Sequence, residues 1–305
     1  MMLKNGEKWF DTDGNVIHAH GGYIISHGGY YYWYGEDRRD DIYVSCYRSA
    51  DLKTWEFRGH VLTAKSKTEG IRVKTDLRLA REDGGKVNIE RPKVLYNEKT
   101  KKFVMWMHYE NGVDYLSAGA AIATCDTPDG EFTYHGSFNP YGHMSRDCTL
   151  FKDGDTVYFI STARDNADLH IYRLADDYMN VDKHVNTLFQ GEYREAPAFF
   201  KKDGKYFVIT SWCTGWAPNQ STFAVGDSMN GHFSVNRNFG DGTTYRSQSA
   251  FVLPVEKNGV TEYIYFGDRW GGRAEKYFES SYIVLKIKFD ADGMPYIDYD
   301  EEAYL

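Results

Sequence analysis

Single polar residues open apolar strands at five points along the chain, at intervals of roughly 50–70 residues. The segments that carry them are His18-Ala19-His20-Gly21-Gly22, Glu90-Arg91-Pro92, Arg146-Asp147-Cys148, Arg194-Glu195-Ala196-Pro197 and Ser247-Gln248-Ser249. Three of these segments supply a carboxylate. Carboxylates that lie close together raise one another's pKa, and a carboxylic acid that stays protonated near neutral pH is what glycosidic bond cleavage requires. The pattern therefore indicates glycosidase chemistry if the fold brings the segments together.

Two other interpretations of these acids stay open at this point. A single Asp or Glu near a strand start is commonly a solvated turn residue. A protein that only binds its ligand can also crowd acids, usually around a cation, as in a lectin-like or metal-filled channel. The repetition of the polar position favours the enzymatic interpretation over both.

A repeated strand pattern predicts the fold that would position these residues. Aromatic or β-branched runs recur at Tyr30–Tyr34, Lys102–Met107, Val157–Ser161, Lys205–Ser211 and Glu262–Gly267. Four are followed by a second apolar strand and a related polar turn, and the fifth copy is reduced to Phe289–Gly293. Such repeats are typical of propeller blades, because one small sheet cannot bury both faces whereas a closed ring of sheets can.

The sequence thus predicts an all-β, five-bladed β-propeller over residues 1–305, a single catalytic domain. A β-sandwich also contains many short strands, but it does not repeat an aromatic strand and an Asp turn in the same order. The first strand of each blade should line the central channel, so the five polar positions should meet at one end of it. The segment Leu62–Gly85 is predicted to be an inserted polar loop that overhangs a binding face.

Composition excludes some functions. A net charge of −8 argues against a nucleic-acid partner, whereas 25 Tyr, 18 Phe and 7 Trp suit strands and sugar stacking. Four scattered cysteines without CxxC spacing indicate reduced thiols and no zinc site. We expect no membrane partner, and a cytoplasmic location unless a leader was removed, because no signal-like or 18-residue apolar run is visible. The pattern leaves the oligomeric state open.

The motifs resemble glycoside hydrolase family 43 over nearly the whole chain. The resemblance rests on the first-blade His18–Gly22 segment, Tyr32-Trp33-Tyr34-Gly35-Glu36, Asn88-Ile89-Glu90-Arg91-Pro92-Lys93-Val94, Ser145-Arg146-Asp147-Cys148 and Arg194-Glu195-Ala196-Pro197. It implies a five-bladed propeller that hydrolyses arabinosides, xylosides or galactosides with inversion. Members of that family usually carry an Asp base on the first blade, a pKa-tuning Asp on the third and a Glu acid on the fourth.

Asp147 matches the third-blade modulator of the family and Glu195 its fourth-blade acid. The first blade departs from the family pattern, because His18 and His20 stand beside glycines and no Asp base is present. This departure, together with Gln248, is similar to the exo-β-1,3-galactanase branch, in which a glutamine is thought to position water and the second-blade glutamate, here Glu90, contacts the sugar or serves as base. An α-L-arabinofuranosidase, a β-xylosidase and a non-hydrolytic sugar-binding propeller are the alternatives.

The same resemblance implies substrate contacts for Glu36, Tyr115 and Thr214. Trp216 lies in a loop with Gly and Pro, where an exposed stacking indole is expected, and Trp270 is similar. Trp55 and Trp106 are predicted to be blade core. His20 could ligate a metal, hold a water or bind the sugar, and we count it among the substrate contacts. No metal and no cofactor are assigned.

The expected mechanism uses Glu195 to protonate the leaving oxygen while water attacks the opposite face of the sugar. Inverting enzymes separate their two catalytic groups by about 6.5–9.5 Å to make room for that water. Asp147 would keep Glu195 protonated by charge repulsion. Gln248 and Glu90 would hold the water, although glutamine is no base at ordinary pH. The substrate expected is an oligosaccharide or polysaccharide.

Overall fold

The computed structural model describes residues 3–305, which form five antiparallel sheets of consecutive strands. The first sheet contains β1 (His20–His27), β2 (Tyr30–Glu36), β3 (Ile42–Ser49) and β4 (Glu56–Thr63). The second contains β5 (Asn88–Asn97), β6 (Lys102–Glu110), β7 (Gly119–Cys125) and β8 (Thr133–Phe138), and a 3-10 turn, Pro140–Gly142, follows it. The third contains β9 (Cys148–Asp153), β10 (Thr156–Ala163), β11 (Asp168–Leu174) and β12 (Val181–Leu188).

The last two sheets follow the same order. The fourth contains β13 (Arg194–Lys202), β14 (Lys205–Trp212), β15 (Ser221–Gly226) and β16 (Arg237–Phe239). The fifth contains β17 (Gln248–Lys257), β18 (Val260–Arg269) and β19 (Ser281–Lys286), with a 3-10 segment at Ala274–Glu279. A small hairpin, β20 (Lys288–Phe289) with β21 (Pro295–Tyr296), comes after them. Among residues 3–305 no helix is long and apolar enough to cross a membrane.

The sheets are the blades of a propeller. In each sheet the first strand is at one edge and lies against the first strands of the neighbouring sheets, so β1, β5, β9, β13 and β17 surround a common axis. The aromatic runs singled out in the sequence are the second strands of the five blades. The prediction of a five-bladed all-β propeller is therefore confirmed.

Apolar side chains between the blades form the core. Trp33, Trp55 and Trp106 are buried, as predicted for the last two, and the Trp106 indole N–H donates to the Tyr178 carbonyl at 2.8 Å. The Trp33 ring packs against Trp55 and Phe266, so it joins the first and fifth blades. Burial of such large side chains supplies most of the free energy that holds neighbouring blades together.

Residues near the two ends of the chain close the ring at the fifth blade. The Asn5 side chain donates to the carbonyls of Val284 and Glu302, and its own oxygen accepts the Val284 N–H at 2.7 Å. The Tyr282 hydroxyl donates to the Ile17 carbonyl at 2.9 Å. The three-stranded fifth blade is thus fastened to residues that precede the first blade.

The insertion after the first blade does not overhang the binding face, contrary to the prediction. Leu62 still belongs to β4, and the segment that follows pairs with the outer edge of blade 2 through Thr68 with Tyr134 and Asp76 with Ser137. Leu79 is buried there in a core cluster of the first two blades. The segment covers an exposed sheet edge, which would otherwise present unpaired backbone groups.

Candidate active site

A cavity of about 930 Å³ lies at the end of the channel where the first strands begin. Glu90, Asp147, Glu195 and Gln248 all line it, together with Glu36, Tyr115, Trp216 and Trp270. The walls are completed by the loop around Gly112–Tyr115 on blade 2 and by Arg273–Phe278 on blade 5. The structure therefore brings together the polar residues of blades 2 to 5 that the repeats had aligned.

The backbone turns sharply beside the site residues of three blades. Gly21, Arg91 and Ala196 have φ values of 55°, 54° and 53°, and the strand register shifts at the same points. Only glycine adopts this left-handed conformation without steric cost, so Arg91 and Ala196 are each strained by the order of 1 kcal/mol. A bulge of this kind redirects side chains and releases backbone N–H groups from the sheet.

The released N–H groups make the same contact in all three blades. Each donates to a carboxylate of the preceding blade around the ring: Gly21 to Asp268 at 2.8 Å, Arg91 to Glu36 at 3.0 Å and Ala196 to Asp147 at 3.1 Å. Hydrogen bonds to charged acceptors are stronger than neutral ones, so these bonds offset the strain. The backbone thereby fixes carboxylates on both sides of the cavity.

Glu195 is the acid candidate on blade 4. Burial and, after it, the nearby Asp147 charge raise the pKa of this carboxyl to about 7 against the opposing effect of Arg91. Its Oε1 accepts a hydrogen bond from the Gln248 amide at 2.9 Å, and its Oε2 lies 3.4 Å from Nδ2 of Asn166. A glutamic acid that is half protonated near pH 7 has the properties of a general acid.

Asp147 lies directly before β9 and holds its charge beside Glu195. Its Oδ2 is 3.0 Å from Nη2 of Arg91, in addition to the Ala196 N–H contact. Arg91 is buried, and its pKa is raised because Asp147 and Glu36 outweigh the effect of burial. The guanidinium thus pairs with the Asp147 carboxylate, and the Asp147 charge is the second cause, after burial, of the raised pKa of Glu195.

Gln248 contacts Glu195 directly, and the orientation of its amide follows from its neighbours. Its Oε1 accepts from Arg91 at 2.5 Å and from the Trp270 indole at 2.8 Å, both of which can only donate. Its Nε2 therefore faces Glu195 and the Ser211 hydroxyl at 2.9 and 3.0 Å. All four hydrogen-bonding positions of the amide are occupied, so Gln248 can hold a water only if it releases one of these partners.

Glu90 lies on blade 2 in a cationic environment. Burial alone would raise the pKa of Glu90, but Arg38 and His108 outweigh it and lower the pKa well below its usual range. Arg38 Nη2 is 3.1 Å from Oε1, His108 Nδ1 is 3.2 Å from Oε2, and the Tyr115 hydroxyl donates to Oε1 at 2.7 Å. Burial is likewise outweighed at His108, whose pKa is raised to about 9 by Glu110 and Glu90.

The first strand of blade 1 carries no carboxylate, and the acid that this blade brings to the cavity comes from its second strand. A Cβ added at Gly21 would lie 2.6 Å from Oε1 of Glu36, so the space beside this backbone is filled by the end of β2. Glu36 is buried, and its Oε2 accepts from Arg38 at 2.8 Å while its Oε1 accepts the Arg91 N–H. Glu36 therefore occupies the space beside Gly21, where an Asp of the first strand is lacking, and forms part of the cavity wall.

His20 does not line the cavity, which corrects its assignment as a substrate contact. Only 2% of its surface is exposed, its Nδ1 is 2.9 Å from Asp268, and its ring stacks on Tyr282 at 4.7 Å. His18 is also buried, and burial lowers its pKa to about 4. Both histidines support the cavity from below.

The aromatic wall of the cavity is formed by Trp216, Trp270 and Tyr277. Trp216 is 36% exposed, and its ring meets Trp270 edge to face at 5.6 Å. Arg38 lies over the Tyr277 ring at 4.6 Å. Thr214 does not line this cavity, because its hydroxyl donates to the Ala217 carbonyl within its own loop and accepts from Asn219. Its predicted sugar contact is not supported by this position.

Sequence patterns missed several residues that line the cavity, namely Arg38, His108, Asn166 and Tyr277. Arg91 was visible in the motif beside Glu90, but its charge was given no role. Arg38 follows Glu36 by two residues, which is the one local signal that could have identified it. The others reach the cavity from second strands or loops, so their contacts depend on how strands pair and how neighbouring blades meet.

Glu90, His108 and Asp147 offer ligand atoms that lie within 4.8 Å of one another and could hold a metal ion. Two guanidinium groups already contact this cluster, Arg38 at Glu90 and Arg91 at Asp147. A metal ion there would compete with these cations for the same oxygens. The donor set accordingly fits the protein's own positive charges better than a divalent cation.

Comparisons with known proteins agree with this geometry. The family model described as glycosyl hydrolases family 43 matches residues 15–295. An exo-β-1,3-galactanase from Clostridium thermocellum is 46% identical with a TM-score of 0.89; the match covers 98% of this chain and 65% of that one. A family 43 β-1,3-galactosidase, solved with galactodeoxynojirimycin, is 34% identical with a TM-score of 0.87 and coverages of 98% and 99%.

An exo-β-1,3-galactanase from Phanerochaete chrysosporium, solved with β-1,3-galactotriose, is 34% identical with a TM-score of 0.85. That match covers 99% of this chain and 67% of the other. The chain thus spans about two thirds of the length of these two galactanases. Among curated protein sequences, none matches it.

Proposed function

The chain belongs to glycoside hydrolase family 43, and we propose that it is an inverting, exo-acting hydrolase of β-1,3-linked galactan. The observation that carries the proposal is Glu195, a largely buried carboxyl with a pKa of about 7 that faces a sugar-sized cavity beside Asp147. The choice of galactan rests on the three similar proteins, which are named galactanases or a β-1,3-galactosidase.

The hydrogen bonds of Glu195 indicate which oxygen carries the proton. Because Gln248 must present its N–H to Oε1, that oxygen acts as an acceptor and the proton belongs on Oε2. Within residues 3–305 the hydrogen bond to Oε2 is the long one from Asn166, and the Cys213 thiol also lies near this carboxyl, so Oε2 can donate to the oxygen that links the terminal sugar to the rest of the chain. Loss of this proton leaves a carboxylate that the Gln248 amide continues to hold.

The attacking water requires an acceptor away from Glu195, and Glu90 is the ionised candidate. Its ion pairs make it a weak base, so we expect it to orient the water and to stabilise the positive charge that develops at the anomeric carbon, with proton transfer late in the reaction. The role earlier predicted for Gln248, holding the water, is replaced in this proposal by orientation of Glu195. Glu36 and Trp216 remain the proposed sugar contacts on the wall, with Tyr115 and Trp270 beside them.

The proposal is tested by incubating the protein with β-1,3-galactan, arabinan and xylan, with mass analysis of the products and proton NMR of the first-formed anomer. We expect release of single galactose units from β-1,3-galactan and inversion of the anomeric configuration. Release from arabinan or xylan instead would identify an arabinofuranosidase or xylosidase. Binding of galactan without any product would leave a sugar-binding propeller, and a retained anomer would reject single-step displacement of the leaving group by water.

A further inference from the structure

Two aromatic side chains lie exposed on blade 4 beside the proton donor and outside the cavity. Tyr193 is 54% exposed and Trp212 is 47% exposed, and neither lines the cavity. We propose that these two residues form a platform that binds the leaving part of a galactan chain, one or more sugars beyond the bond that is cleaved. This inference rests on the proposed function, because it concerns the polymer that the same site would cleave.

The position of the platform follows from the strand register. Trp212 pairs with Arg194, and the next pair along the two strands is Ser211 with Glu195. Tyr193 directly precedes Arg194, and its carbonyl accepts a hydrogen bond from the Cys213 thiol at 3.3 Å. The Cys213 thiol is also close enough to Glu195 for the carboxylate to raise its pKa, after burial as the main cause. Trp212 is therefore one pair removed from Glu195, on the sheet face that it shares with Arg194, and Tyr193 is two positions from Glu195 along the chain.

The direction of the leaving chain is set by the acid. An exo-acting enzyme holds the terminal sugar in its cavity, and the proton donor must contact the oxygen that joins this sugar to the next one. The remainder of the polymer consequently leaves on the side of Glu195, past Asn166 and Cys213. Tyr193 and Trp212 are exposed aromatic residues of blade 4 that lie near Glu195 in the chain and in the strand register.

The Trp212 ring is held rigidly enough to act as a stacking surface. The Arg194 guanidinium lies 4.3 Å from the centre of the ring, and Arg194 is itself buried and bonded to Thr210 and Thr222. One face of the indole therefore rests on a fixed cation while the other faces solvent. Aromatic side chains that are already ordered lose little entropy on binding, and their faces suit the C–H surfaces of a sugar ring.

The same arrangement of an exposed aromatic ring on an arginine occurs at Tyr30 on blade 1, which provides a matched control. Tyr30 is 40% exposed, and Arg48 lies 4.6 Å from its ring centre. No residue of the candidate site is next to it in the strand register, where Tyr30 pairs with His27. If exposure and cation contact alone affected activity, Tyr30→Ala and Trp212→Ala would behave alike.

The test compares substrates of increasing length. Rates are measured for wild type, Trp212→Ala, Tyr193→Ala and Tyr30→Ala on β-1,3-galactobiose, on the tetrasaccharide and on β-1,3-galactan. For the two platform variants we expect kcat/KM to fall about three- to tenfold on the tetrasaccharide and polymer, the loss typical of one stacking contact, with a much smaller change on the disaccharide. Tyr30→Ala should match wild type on all three.

Binding measured in a variant that does not turn over shows whether the platform contacts the sugar chain directly. In a Glu195→Gln background, calorimetry should give tighter binding of the tetrasaccharide than of the disaccharide, and Trp212→Ala should remove that difference. A loss that is equal for all substrate lengths, or no loss at all, overturns the platform. If Trp212→Ala lowers the melting temperature, Tyr193→Ala decides, because its ring makes no contact with Arg194 that the change would break.

Wild type that fails to cleave any β-1,3-galactan rejects the proposed function, and with it the platform. Cleavage without length dependence rejects the platform alone.

Discussion

Blades 2 and 4 each bring a largely buried glutamate to the cavity, Glu90 and Glu195, and the two carboxyl groups meet different neighbours. Glu90 is contacted by Arg38, His108 and a tyrosine hydroxyl, and these partners lower its pKa despite burial. Glu195 faces Asp147 and two side-chain amides, and burial with the Asp147 charge raises its pKa to about 7. Similar burial thus gives opposite protonation states, because the neighbouring charges decide the outcome.

The different protonation states suit Glu195 and Glu90 to different steps of the hydrolysis. Near neutral pH, Glu195 can be a proton donor, whereas Glu90 can only accept a hydrogen bond or stabilise positive charge. Arg38 and His108 keep Glu90 ionised, whereas the cation that acts on Glu195 is Arg91, whose charge is shared with Asp147 and Glu36. Substitutions at these residues test whether the two carboxyl groups differ in this way.

The largest effect is expected for Glu195→Gln, which keeps the size of the side chain but cannot donate the proton of a carboxylic acid. Turnover of β-1,3-galactan should fall by about two to four orders of magnitude, the usual contribution of a general acid. Glu192→Gln, which changes an exposed acid on the same loop, is the matched control. Near-full activity of Glu195→Gln on a substrate with a poor leaving group would exclude Glu195 as the acid.

The second largest effect is expected for Glu90→Gln, which removes the negative charge between Arg38 and His108. We expect turnover to fall up to about 100-fold, the lower range for a group that assists the attacking water. Measurement of the melting temperature alongside the rate separates this loss from unfolding. If activity is kept while the melting temperature falls, Glu90 is a structural ion-pair partner and the role of the acceptor belongs to another residue.

A smaller effect is expected for Gln248→Ala, which removes the donor that holds Oε1 of Glu195 and leaves Arg91 and Trp270 without their acceptor. We expect a loss of about tenfold, comparable to a buried hydrogen bond of about 1–2 kcal/mol. His18→Ala should cost less, because His18 is buried below the cavity. A His18 variant that is more damaged than Gln248→Ala on the same galactan would return the base to the first blade.

The smallest change in maximal rate, but a distinct pH effect, is expected for Asp147→Asn. In wild type, kcat/KM should decline as pH rises through about 7, where Glu195 loses its proton. Removal of the Asp147 charge lowers the pKa of Glu195, so the decline should move to lower pH, while burial keeps it above the ordinary value of about 4.3. Asp165→Asn, an exposed acid that pairs with Arg146 at the rim, should leave the profile unchanged. An unshifted profile for Asp147→Asn would mean that burial alone sets the pKa.

The sequence was sufficient for the fold and for the residues that repeat with it. Glu90, Asp147, Glu195 and Gln248 occupy equivalent positions in consecutive blades, so a strand-by-strand comparison was enough to align them. The partners of these residues could not be predicted in the same way. His108 and Arg38 reach Glu90 across neighbouring strands and blades, and such long-range contacts leave no periodic signal.

Local backbone geometry was also beyond the sequence patterns. Glycine at position 21 is the residue type expected in a left-handed conformation, whereas Arg91 and Ala196 adopt the same conformation although their residue types do not favour it. The mistaken assignment of His20 has a related cause: a histidine beside two glycines suggested an open strand end, whereas Asp268 and Tyr282 enclose it. The His20 contact depends on blade 5 meeting blade 1, which no local pattern in the sequence reveals.

The contacts between blade 5 and the residues that precede blade 1 can form only late in protein synthesis. The bonds from Asn5 to Val284 and Glu302 join residues that are nearly the full chain apart, so on the ribosome they cannot form until the last blade has emerged. Until then the first blade lacks Asp268, which fixes Gly21 and His20, and the acid lacks Gln248. A nascent chain should therefore stay open at one seam and inactive through most of its synthesis, and docking of the fifth blade should close the ring and assemble the site in one late step.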